Sequence, residues 1–260
     1  MVLATVVCRG YLEQEHRAGV HENADGRLGL LDWLEEWQLI PETEPGELRF
    51  LQTSVGQADE QVFLNAIWRA EGLGVLAWAL GRFELPAYDR LVEADAAQQA
   101  VGFLEPDTDR DPRKVAALRA DSDIARLASH VTLVSWRIRQ FRIDPARAVA
   151  SVAFQVGGQR PVPVAGSSAM QQSTGPGIGT VMDFAGYLRD YPRFKEYWLA
   201  GLRLVDGDLA IGSKSIAAAD PRDVKTCASI AVERQIAAYW LQGAERTYSK
   251  VEASTLLSSC

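Results

Sequence analysis

Cysteine and histidine are both scarce in this chain, with three of each in 260 residues. Cys8, Cys227 and Cys260 are far apart, odd in number and form no Cys-x-x-Cys pair. That argues against a disulfide framework and points to free thiols in a reducing compartment. Cys227 reads as a small core residue. His16, His21 and His130 have no recognised metal-ligand spacing, so no metal is expected. His16 and His21, among Glu13, Glu15 and Glu22, read as solvated surface. Lysine is also rare, five against 22 arginines, which we read mainly as genomic base composition. With a net charge of −7, the chain lacks the basic excess that phosphate binding requires, which argues against a nucleic-acid partner.

Long apolar runs are missing too. No stretch approaches the roughly 20 residues a membrane-spanning helix needs, so no membrane association is expected. Residues 2–8 are apolar, but the run is short and no basic residue precedes it. It reads as the first turns of a buried helix rather than a signal peptide. Gly175-Pro176-Gly177-Ile178-Gly179 lacks the Gly-Lys-Ser/Thr ending of a phosphate loop, and Gly166-Ser167-Ser168 lacks the second glycine of a nucleophile elbow. No cofactor is expected.

What is present is ordinary for a globular protein: 47% hydrophobic and 23% charged residues. A chain of this length buries most of its apolar surface without staples, and we expect a single domain over 1–260. Helical spacing predicts helices over 3–16, 28–38, 47–52, 59–81, 90–101, 121–142 and from Pro221 to about Leu241. On the 121–142 segment, Leu127, Val131, Val134, Ile138 and Phe141 form one stripe. Residues 157–180, dense in Gly, Ser, Gln and Pro, read as a mobile loop insert. Around Asp206-Gly207, Leu202 and Leu204 alternate before the turn, and Leu209 and Ile211 after it. The expected fold class is α+β, a predominantly helical body with a small β-hairpin or sheet near residues 202–216.

Several blocks resemble one family. Trp68-Arg69-Ala70-Glu71-Gly72-Leu73, then Trp78-Ala79-Leu80-Gly81 and Leu85-Pro86, are similar to the signature of the bacterial domain of unknown function 4272. Trp136, Arg139 and Arg142 resemble its second block. Glu233-Arg234, Trp240-Leu241 and the stretch from Tyr248 to Thr255 resemble a C-terminal block, and Leu204 to Ile211 resembles a stretch of some members. The resemblance implies a shape and candidate positions, since the family carries no established activity. This chain departs from the pattern at Ser135 and Gln235, where histidines are expected, at Tyr239 for an asparagine, and at Ser254 for an aspartate. Any acid–base or metal role of those groups in relatives is lost here.

The residues point to the same places independently. Trp68, Glu71, Val75 and Trp78 share a helical face, as do Ile230, Glu233, Ala237 and Trp240. Each face sets a carboxylate on an apolar stripe, where it must be paired or neutral. Arg69, Arg137, Arg139 and Arg234 are the candidate partners, and His130 lies two turns from Arg137. Two readings stay open. One is a structural Glu–Arg network that fixes helix register; the other is a pocket with two carboxylates, an arginine and a histidine. Arg137, Arg139, Arg142 and Arg147, offset by Asp144, read as surface pairing ahead of an anion site. The expected function is accordingly a cytoplasmic, non-catalytic module that recognises another protein, with toxin neutralisation as one accessory role. The alternative is a hydrolase-like enzyme using the Glu/Arg pocket. A closed, paired cluster favours the first, and an open cleft with an unpaired carboxylate favours the second.

Overall fold

Residues 1–20, 26–104, 117–145, 184–190 and 201–253 are described by the computed structural model. The 157–180 segment and His21 lie outside them. The protein is α+β and dominated by helices, with a small antiparallel sheet. The described residues fall into two compact units.

In the first unit the apolar run at the start of the chain is a buried helix, as expected. Helix α1, Val2–Arg17, buries Leu3, Ala4, Val6 and Val7 and packs along α4, Glu60–Ala79. Helices α2, Gly26–Glu36, and α3, Pro45–Gln52, add Leu30, Trp33, Leu34, Phe50 and Leu51 to the same core. The helix starts follow from local chemistry. Pro45 opens α3 behind a capping box, in which the Glu47 carboxylate accepts from the Glu44 N–H at 3.1 Å. Asp59 caps α4, its Oδ1 accepting from the N–H groups of Gln61 and Val62 at 2.9 and 3.4 Å.

Helix α5 differs from its sequence reading. It spans Ala94–Ala100 rather than starting near residue 90. The Val92 N–H donates to Glu71, while the carbonyls of Pro86 and Arg90 accept from Arg234. Those bonds hold the backbone at Pro86, Arg90 and Val92 out of the helical ladder.

The second unit comprises residues 87–89, helix α6 (Asp121–Ile143) from Ala128 onward, helix α7 (Phe184–Asp190), the sheet, and helix α8 (Pro221–Leu241) as far as Val232. Strands β1 (Leu204–Val205), β2 (Asp208–Ile211) and β3 (Lys214–Ser215) form the sheet in that order. Leu204 faces Leu209, and Ala210 faces Ser215, both in antiparallel register. The first turn works because Asp206 and Gly207 both take positive φ, 51° and 76°, a pair whose twist matches the flanking strands. Leu209, Ile211 and Ile216 pack with Val134, Trp136, Ile138 and Phe184 in one core, which also takes Cys227.

Candidate functional site

The first unit contains residues 233–241 of α8 as well as α4, and here Glu71 and Arg234 meet. Arg234 Nε donates to Glu71 Oε2 at 2.8 Å, with about 3% and 2% of the two side chains exposed. Both partners are engaged again. Glu71 Oε1 accepts from the Val92 N–H at 2.8 Å. Arg234 Nη1 donates to the Pro86 carbonyl at 2.9 Å and Nη2 to the Arg90 carbonyl at 2.7 Å. Two charges are thus buried with their hydrogen-bonding capacity largely used, the condition under which burial of an ion pair is tolerated. The pair fixes the backbone at Pro86, Arg90 and Val92 and presents no unpaired carboxylate.

Glu233, the neighbour of Arg234, behaves differently. It is half-buried, and its pKa is pushed up to about 7, first by burial; Arg69 opposes the rise and Glu71 adds to it. Arg69 forms an ion pair with the buried Glu47 and lies 5.9 Å from the centre of the Tyr248 ring. The Tyr248 hydroxyl is buried against Gly72, and no group among the described residues hydrogen-bonds to it. Burial and the Glu233 charge raise its pKa, so the phenol stays protonated. Glu47, Arg69, Tyr248 and Glu233 therefore form a second polar group beside the closed pair.

Next to this group is a cavity of about 560 Å³. Leu3, Leu39, Leu76 and Trp240 supply apolar wall, and Glu42, Glu44, Glu47, Arg246 and Tyr248 supply polar lining. The rings of Trp240 and Tyr248 meet at 6.0 Å between centroids and 63° between planes. Sequence reasoning missed Glu47 and the cavity. The signal available was the Glu44–Glu47 capping-box spacing, which reads as helix chemistry and says nothing of Arg69.

The remaining candidates lie in the second unit. Arg137 is buried and forms a two-pronged pair with Asp208, its Nε donating to Oδ1 at 2.6 Å and its Nη2 to Oδ2. Asp208 opens β2, so this arginine ties α6 to the sheet. Arg139, two residues on, is exposed. His130 is half-buried, with its ring centroid 6.0 Å from that of Tyr88. Tyr88 also accepts a weak bond from Cys227, the thiol lying 3.6 Å from its carbonyl; Cys227 is a buried core residue, as expected. Beside Tyr88, the Asp89 carboxylate accepts from the Gly212 N–H at 2.7 Å and pairs with Arg203, a link no sequence pattern announces.

Gln235 and Tyr239, two positions where the sequence departs from the resemblance, are bonded to each other. Gln235 Nε2 donates to the Tyr239 hydroxyl at 3.0 Å, one helical turn apart, and both side chains are buried. A second missed pair holds α1. Arg9 and Glu13, both fully buried, meet at 3.0 Å, and Glu13 also accepts from the Gly56 N–H at 2.9 Å. Glu13 is held below the usual carboxylate range; burial alone would raise its pKa, but the bonds from Gly56, Arg9 and Arg17 together outweigh it. Among the described residues no three His, Cys, Asp or Glu side chains converge as metal ligands, and no helix is long and apolar enough to cross a membrane.

Comparison with known proteins gives one family. The model of the domain of unknown function 4272 (DUF4272) matches residues 1–164 of the 260. The match takes in Arg69, Glu71, His130, Arg137 and Arg139, and ends before Glu233, Arg234, Trp240 and Tyr248. No curated protein and no solved structure matches the chain.

Proposed function

The chain belongs to the DUF4272 family, and we propose that it is a non-catalytic recognition module, a bacterial cytoplasmic protein that acts by binding another protein. Toxin neutralisation is one accessory role of that kind. The observation that carries this reading is the closed Glu71–Arg234 pair. Its carboxylate accepts from Arg234 and Val92, which leaves Glu71, a residue inside the family match, building structure. A catalytic carboxylate must instead reach its substrate. The acidic net charge suits a partner with a basic face.

The second reading is a hydrolase-like enzyme, and one residue favours it. Glu233, with a pKa of about 7, is suited to exchange protons at neutral pH.

Photocrosslinking separates the two. With benzoylphenylalanine in place of the exposed Glu42, the recognition reading predicts one discrete protein adduct in the native cell, competed by excess unmodified protein. Turnover of an ester, phosphoester, peptide or glycoside substrate that disappears in a folded Glu233→Gln variant, with no adduct formed, would establish the enzyme instead.

A further inference from the structure

We infer that the cavity beside Trp240 and Tyr248 is the docking pocket of this module, and that its occupant is a lysine or arginine on an apolar segment of the partner protein. The inference rests on the recognition reading above.

Three features of the cavity point to that chemistry together. Its volume, about 560 Å³, lies within the roughly 300–1,000 Å³ of small-ligand pockets, enough for a long side chain and an apolar neighbour. Its walls are Leu39, Leu76 and the edge-to-face Trp240–Tyr248 pair. Aromatic faces attract a cation, and the aliphatic stem of lysine or arginine packs on apolar wall while its head stays hydrated. The third feature is charge. Glu42, Glu44 and Glu47 all line the cavity, and Arg246 is the one arginine or lysine among the lining residues.

Not all of that charge is available. Glu47 is neutralised by Arg69, and Glu44 accepts from the Ser249 N–H at 3.0 Å. Glu42, in the short helical turn Ile40–Glu42, is exposed, so it is the carboxylate placed to meet an incoming cation. Met1 also lines the cavity. An acidic segment would meet Glu42 and Glu44 as like charges, and a purely apolar one would leave them unmatched.

The test uses two blocked heptapeptides of leucine and alanine, one carrying two lysines and the other two glutamates at the same positions. Each is titrated into the full chain at near-physiological salt and followed by tryptophan fluorescence. Three proteins are compared: the unmodified chain, Glu42→Lys, and Glu84→Lys as a control at an exposed carboxylate outside the cavity. The lysine peptide is expected to bind saturably and the glutamate peptide not to bind. Glu42→Lys should weaken the lysine peptide about tenfold, and Glu84→Lys less than twofold. Equal binding of the two peptides, no binding of either, or equal weakening by both charge reversals would overturn the basic anchor. Failure here with a discrete adduct at position 42 removes only the anchor; failure with no adduct removes the recognition reading as well.

Discussion

Arg234 Nε donates to Glu71 Oε2 at 2.8 Å between two side chains that are both almost fully buried. One bond therefore joins α4 to the last turns of α8, and the free ends of the same two groups hold the backbone at Pro86, Arg90 and Val92. Desolvating two charges is expensive, and the arrangement is sustained because nearly every donor and acceptor is matched. Such a pair sets register. Its geometry leaves no oxygen exposed for a substrate.

The same logic distinguishes two arginines of α6. Arg137 is buried in a two-pronged pair with Asp208, whereas Arg139 is exposed. Arg137→Gln should cost about 3 kcal/mol, since it leaves a carboxylate without its partner. Arg139→Gln should stay within about 0.5 kcal/mol. Denaturant unfolding of both variants, followed through the second unit, checks this; equal effects would show that the Asp208 pair is not what holds β2.

How much of this was legible in the sequence depends on the range of each interaction. The apolar stripe of α6 and the Asp206-Gly207 turn are local patterns, and both stand in the structure. Glu71 and Glu233 were found because a charge on an apolar stripe signals itself, and Arg234 was among the candidate partners. The other contacts of the pair were not, because Val92, Pro86 and Arg90 contribute backbone atoms, which carry no residue-type signal. Arg9–Glu13 was missed although its spacing is local, since an i,i+4 pair usually lies on a solvated face. The long-range bonds, from Arg9 to the Thr53 and Ser54 carbonyls and from the Gly56 N–H to Glu13, mark it as a buried clamp.

Gly72 and Tyr248 should respond in opposite ways. A Cβ on Gly72 would come to 2.1 Å from the Tyr248 hydroxyl, so Gly72→Ala must displace the ring. We expect a loss of about 1–3 kcal/mol, the usual cost of overpacking. Tyr248→Phe removes a buried hydroxyl that has no partner among the described residues. Such a group carries a desolvation cost with no bond in return, so this variant should be neutral or more stable by up to about 1 kcal/mol. Thermal unfolding of the two variants decides; a clear loss in Tyr248→Phe would mean that the hydroxyl has a partner.

Glu233 gives the pH dependence. Its pKa is about 7 in the folded chain against an ordinary 4.5, with burial as the first cause, Arg69 opposing and Glu71 adding. Between those values the folded state holds a proton that the unfolded state has released. The contribution is therefore fully present below pH 4.5 and is lost as pH rises through about 7. The slope from this one group is at most about 1.4 kcal/mol per pH unit. Unfolding free energies from pH 5 to 8 should fall in the unmodified chain, and Glu233→Gln should remove part of that fall. Identical pH profiles would place the Glu233 pKa outside this window.

The most direct test joins stability to binding in a single variant. Glu71→Gln, carrying the crosslinker at position 42, should lose about 3 kcal/mol of stability, because Arg234 is left buried with a neutral partner. At a temperature where it remains folded, it should still give the same protein adduct with similar yield. That pairing is what a structural clamp beneath a recognition surface predicts. Unchanged stability together with a lost adduct, or with a lost catalytic turnover, would contradict it and make Glu71 a functional carboxylate.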